Sequence, residues 1–112
     1  MGRKRIYIPH AVYHITFNPK FRIPYFTEDI FSCILGKVIF NAQELKDYIL
    51  IAYKINPEHV HLVIKCGEKY NVSEIIHCSK HVSAVKINQV ITKDTEEERF
   101  KLLWNEDMLV YA

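Results

Sequence analysis

The spacing of apolar and polar residues changes period several times along this chain. Residues 12–18 alternate Tyr13, Ile15 and Phe17 against His14, Thr16 and Asn18, the period of two of a half-buried strand. Pro19 ends that run, and residues 20–26 make a basic, aromatic connection. Thr27 is placed to cap a helix whose first turn carries Glu28 and Asp29, near the positive end of its dipole. Phe31, Ile34, Leu35, Val38, Ala42 and Leu45 then recur at helical spacing. Residues 48–55 form a continuous apolar run and read as an interior strand. Asn56-Pro57-Glu58 turns the chain into a second alternating strand over 59–66, so the two are expected to pair as a hairpin. Residues 67–71 read as a loop, and Ser73 as the cap of a helix reaching about residue 91, with a looser apolar face of Ile75, Ile76, Val82, Val90 and Ile91. A charged linker follows over 92–99, then the corner Trp104-Asn105-Glu106-Asp107 and a last strand over 108–111.

The order β-α-β-β-α-β predicts an α+β fold of ferredoxin-like type, a four-stranded antiparallel sheet with both helices on one face. Its strand order, 4-1-3-2, places the first strand beside the third. Val60, Leu62 and Ile64 are needed under the helices, so His59 and His61 must point to the open face. His14, Thr16 and Asn18 share that face. Two neighbouring neutral imidazoles can ligate one divalent ion. Short motifs of this kind are more often solvated residues than ligands, and three histidines on an uncovered sheet permit a site without deciding it.

Composition narrows the setting. With 112 residues and no low-complexity segment, residues 1–112 are expected to form one small domain. Seven tyrosines and six phenylalanines among many aliphatics exclude disorder. A net charge of +2 does not by itself call for a polyanionic partner, although Arg3-Lys4-Arg5 and Lys20-Phe21-Arg22 are basic clusters and residues 94–98 are acidic. Cys33, Cys66 and Cys78 form no C-x-x-C pair, which fits free thiols in a reducing compartment. No apolar stretch is long enough to span a membrane and no signal peptide opens the chain, so a cytoplasmic location is expected.

Tyr13-His14-Ile15-Thr16-Phe17, followed by Lys20-Phe21-Arg22-x-Pro24-x-Phe26, resembles the opening of the single-tyrosine HUH transposases, which include small insertion-sequence and REP-associated tyrosine transposases. Pro57-Glu58-His59-Val60-His61-Leu62-Val63-Ile64 is similar to their metal motif. Ser73-Glu74-Ile75-Ile76 through Lys80 and Ser83 resembles the helix after it, and Leu103-Trp104 the pair leading into the final strand. The match runs end to end and in order.

The resemblance implies DNA transposition: single-stranded or hairpin DNA is cut and rejoined through a phosphotyrosine, with His59 and His61 holding Mg2+ or Mn2+ on the scissile phosphate. The basic residues expected to meet phosphates are Arg3, Lys4, Arg5, Lys20, Arg22, Lys80 and Lys86. A homodimer paired through the last strand is expected, since that strand is an open edge. The family's nucleophile sits on a helix beyond the last strand, and no residue here matches it. Tyr111 stands nearest and is the candidate, although strand aromatics of this kind are usually structural. Tyr13 and Tyr53 are expected to face the core. A fragment or a shortened relative is therefore expected, cleaving DNA poorly on its own. The alternative is a catalytically inactive module that binds single-stranded or hairpin nucleic acid on its open sheet. His77 and His81, four apart on the second helix, read as a solvated helix face.

Overall fold

The structure, a computed structural model, describes residues 8–95 and 102–111. Strands β1 (Val12–Phe17), β2 (Tyr48–Asn56), β3 (His59–Cys66) and β4 (Leu109–Tyr111) form one sheet in the order β2-β3-β1-β4, antiparallel throughout. Helices α1 (Asp29–Leu45) and α2 (Val72–Thr95) complete the α+β arrangement expected from the element order. Alternation decides the faces. Tyr13, Ile15 and Phe17 of β1 and Val60, Leu62, Ile64 and Cys66 of β3 are buried in one cluster with Leu35, Ile39 and Ala42 of α1 and Ile75, Ile76, Ile87 and Ile91 of α2. Both helices therefore lie on one side of the sheet, and the intervening residues of β1 and β3 lie on the other.

Several boundaries differ from the sequence expectation. The cap of α1 is Glu28, not Thr27, because Tyr25–Thr27 forms a short 3-10 turn that buries Tyr25 and Phe26. The cap of α2 is Asn71, not Ser73: Asn71 Oδ1 accepts from the Glu74 N–H at 2.9 Å, and Glu74 Oε1 accepts from the Asn71 N–H at 3.1 Å, a reciprocal capping box. Helix α2 runs on to Thr95, into the stretch read as a linker, and the rest of that stretch, residues 96–99, lies outside the described part. Strand β2 is an edge and not an interior strand, with Ile49 and Ile51 exposed and its register shifted between Leu50 and Ala52. Tyr53 is half exposed at that edge, lying over Gly36 of α1 instead of entering the core. Tyr48 does enter it and donates its hydroxyl to the Ile39 carbonyl at 2.5 Å. Burial pushes its pKa up to about 12, so it remains a donor at neutral pH.

The chain after α2 is fastened back over the sheet end. Leu102 N–H donates to Asn88 Oδ1 at 2.5 Å, and Asn88 Nδ2 donates to the Leu102 carbonyl at 3.1 Å. Trp104 stacks on Phe26 and meets Phe17 edge-on, while its Nε1 donates to Ser83 Oγ at 3.1 Å. Pro19 bridges to Trp104, and Lys20 N–H donates to the Leu103 carbonyl at 2.7 Å. Between these anchors Phe21 and Arg22 adopt positive φ, 61° and 51°. That conformation costs a residue with a Cβ roughly 1–2 kcal/mol.

A second close approach lies at the hairpin's far end. Gly67 N–H donates to the Asp47 carbonyl at 2.9 Å, and a Cβ added at Gly67 would stand 2.6 Å from that carbonyl oxygen. Gly67→Ala must therefore displace backbone as well as the Asp47 carboxylate. It should cost about 1–3 kcal/mol of stability, read from urea unfolding. A neutral result would mean that the loop relaxes freely.

Candidate functional site: the open face of the sheet

Pairing places the polar residues of three strands in register. His61 of β3 stands opposite Thr16 of β1 and Lys54 of β2, His59 opposite Asn56, and His14 opposite Val63 and Tyr111. Opposed residues in an antiparallel pair share a face, so these side chains all line the uncovered one. The contacts are close. His61 Nδ1 lies 3.1 Å from His14 Nε2 and 3.2 Å from Thr16 Oγ1. The His59 and His61 rings stand edge to face with centroids 5.0 Å apart, and the Tyr111 ring lies against His14 at 5.8 Å.

Each of the two central histidines is oriented by one nitrogen. His61 Nδ1 is engaged by His14 and Thr16; with its proton there, donated to Thr16 Oγ1, Nε2 keeps a free lone pair. His59 Nε2 lies 3.1 Å from Asn56 Nδ2, while its Nδ1 is buried and has no hydrogen-bond partner. Amide orientation and imidazole tautomer are set by the network around them. With the Asn56 amide turned so that Oδ1 accepts from Nε2–H, Nδ1 presents a bare lone pair. A buried nitrogen without a partner is costly, and a bound cation is one way to satisfy it. His59 also lines a cleft of about 320 Å³ with Thr16, Asn18, Arg22, Asp107, Met108 and Leu109. Two imidazoles with buttressed nitrogens thus fit a divalent ion. Among the described residues, no three His, Cys, Asp or Glu side chains converge as a complete ligand set.

Electrostatics favours the ligand-competent form of His61. Burial lowers its pKa below the ordinary 6.5, and His59, His14 and Lys54 lower it further. Below 6.5 the unfolded chain takes up this proton before the folded one does. The stability present above 6.5 is therefore lost as the pH falls from there through the folded value. In metal-free protein, the His61 ring should titrate below 6.5 by NMR, and Lys54→Ala should move that midpoint upward. A midpoint unmoved by Lys54→Ala would remove the lysine from the account.

The basic residues named from sequence separate. Arg22 lines the His59 cleft, and Lys20 is exposed two residues before it. Lys80 lies in the helical layer, where Nζ donates to the Asn105 carbonyl at 2.7 Å and the Asp107 carbonyl at 3.4 Å and sits over the Phe17 ring. It secures the approach to β4 instead of facing the open sheet. Lys86 is exposed on the same helix, and Arg3, Lys4 and Arg5 lie outside the described residues. His77 and His81 do stack, with centroids 6.5 Å apart, beside a helix-side groove shared with Lys46, Lys80 and Trp104. Sequence reading missed Asn56 and Lys54. Their spacing from His59 and His61 across the Pro57-Glu58 turn was the available signal.

The family model described as "Transposase IS200 like" matches residues 8–111. The chain belongs to the IS200-like transposase family. Membership assigns it to DNA transposition, in a family that is generally metal-dependent. No curated protein matches the sequence significantly. Among solved structures, a chain described as a transposase from Deinococcus radiodurans R1 superposes with a TM-score of 0.77 at 18% identity, covering 100% of this chain and 85% of that one. A REP-associated tyrosine transposase bound to a REP hairpin gives a TM-score of 0.70 at 17% identity. That match covers 100% of this chain and 61% of the other, so the chain spans less than two thirds of that relative. At these identities the likeness shows a shared fold. No helix among the described residues is long and apolar enough to cross a membrane.

Proposed function

We propose that this IS200-like transposase chain binds single-stranded or hairpin DNA on the open face of its sheet, with a phosphate held at His59 and His61 through Mg2+ or Mn2+, for cutting and rejoining through a phosphotyrosine. The observation that carries this reading is the pair of imidazoles side by side on the uncovered face, one with a buried nitrogen lacking a partner. Family membership, and a neighbour solved with a REP hairpin, support it. When bound, a divalent ion at this pair withdraws charge from the phosphate's non-bridging oxygens.

The chain's own residues supply the rest. Asn56 orients His59, and His14 with Thr16 orients His61, each fixing a tautomer. Arg22, at the cleft, offers a planar fork to phosphate oxygens. In the covalent step a tyrosine oxygen attacks phosphorus, the bond from phosphorus to the 3′ oxygen breaks, and a 3′ hydroxyl leaves with the proton. Attack by a 3′ hydroxyl on the phosphotyrosine reverses it. Tyr111 is the candidate on this face. The same reading has the chain act in the cytoplasm as a homodimer paired through the open β4 edge, for which light scattering should give twice the chain mass of 13.3 kDa.

Anisotropy of a labelled single-stranded oligonucleotide tests the reading. Affinity should rise with Mn2+, return on chelation, and fall linearly in log K against log salt. No binding at low salt, or indifference to Mn2+, would overturn it. A covalent protein–DNA adduct that disappears in Tyr111→Phe assigns the attack to that hydroxyl, and one that persists assigns it to another tyrosine.

A further inference from the structure

The turn that carries Lys20, Phe21 and Arg22 is strained and firmly held, and it turns an aromatic ring outward. Phe21 and Arg22 both have positive φ, 61° and 51°, although neither is glycine, asparagine or aspartate. The strain persists because both flanks are fixed. Lys20 N–H donates to the Leu103 carbonyl, Arg22 N–H donates to the Pro19 carbonyl at 3.1 Å, and Pro19 bridges to Trp104. Strained residues held this way cluster at binding sites, where the surroundings over-determine them.

The result is an unusual placement of a phenyl ring. Phe21 is 81% exposed, more than any other large hydrophobic residue described, whereas Tyr25 and Phe26 a few positions on are buried at 9% and 5%. A ring without polar atoms gains nothing from water there. Its neighbours on either side are exposed cations, and one of them, Arg22, lines the cleft with His59. An aromatic face between two cations matches a nucleic-acid single strand, which alternates π-faces with phosphates. An apolar protein partner would leave both charges unpaired.

We propose that Phe21 is a stacking platform for an unpaired base of the bound strand, with Arg22 on a flanking phosphate at the His59 cleft. This rests on the DNA-binding reading above and adds to it a base-contacting residue. The fixed turn holds the backbone that presents the ring before DNA arrives, so little backbone freedom remains to be lost on binding. Stacking tolerates every base, so Phe21 contributes affinity and position along the strand without sequence preference.

The test compares wild type, Phe21→Ala, Phe21→Trp and Arg22→Ala on a single-stranded oligonucleotide, and on a set of the same oligonucleotide with one abasic position each. Phe21→Ala should weaken binding roughly 5- to 150-fold with the salt slope unchanged, and Phe21→Trp should retain affinity. Arg22→Ala should reduce the salt slope by about one phosphate. At one abasic position wild type and Phe21→Ala should bind alike, because the stacking partner is gone. Wild type that binds single strands while Phe21→Ala binds equally well overturns the stacking proposal alone. So does a Phe21→Ala loss of the same size at every abasic position, or one that Phe21→Trp fails to restore. Wild type that binds no single strand overturns the DNA reading and this inference together.

Discussion

Replacing His59 and His61 together by alanine should leave the fold standing and remove the Mn2+ dependence proposed for the chain. Both side chains lie on the open face, while the residues between and beside them, Val60, Leu62 and Ile64, fill the core. The double variant therefore loses two imidazoles and a few surface hydrogen bonds, and its melting temperature should shift by only a few degrees. Removing both proposed ligands should abolish measurable Mn2+ binding by electron paramagnetic resonance, together with the gain in DNA affinity expected from Mn2+. Asn56→Ala is a graded companion. It leaves both ligands but frees the His59 ring, and loss of an orienting partner of this kind weakens metal binding about 10- to 100-fold. Equal Mn2+ affinity in the double variant would remove the metal site from these residues. A collapse in melting temperature would make the pair structural.

The periods of β1 and β3 were strong enough to read directly, because one face of each strand is fully buried and a one-residue slip would expose it. That is why the shared face of His14, His59 and His61 was legible in the alternation alone. The same logic misled at β2. An unbroken apolar run implies burial on both faces only in a covered strand, and Ile49 and Ile51 instead stand exposed at an edge whose register shifts between Leu50 and Ala52. The α2 cap was within reach, since Asn71 and Glu74 have capping-box spacing, but Ser73 competes for the role on propensity alone. Lys80 was beyond reach. Its ammonium is committed to the carbonyls of Asn105 and Asp107, a contact between segments 25 residues apart that local pattern does not encode. Asn56 was within reach: it lies three residues before His59 across the Pro57-Glu58 turn, and the hairpin register brings the two side chains together.

Leu62→Ala should be among the most damaging single changes in the core, although its neighbour in sequence is a proposed metal ligand. Leu62 is fully buried in β3 and faces Ile15 of β1 and Tyr53 of β2 in register. Truncation removes three buried carbons and leaves a cavity that a strand paired on both sides closes poorly, which costs about 2–5 kcal/mol. Small domains hold roughly 5–15 kcal/mol in total, so the melting temperature should fall on the order of 10 °C or more. His61→Ala, one residue earlier and pointing the other way, should cost well under half as much, with its main effect on Mn2+. Urea unfolding monitored at Trp104 measures both variants in one assay. A Leu62→Ala penalty no larger than that of His61→Ala would mean that the two faces of β3 are not divided between core and site, and the geometric basis for the metal proposal would go with it.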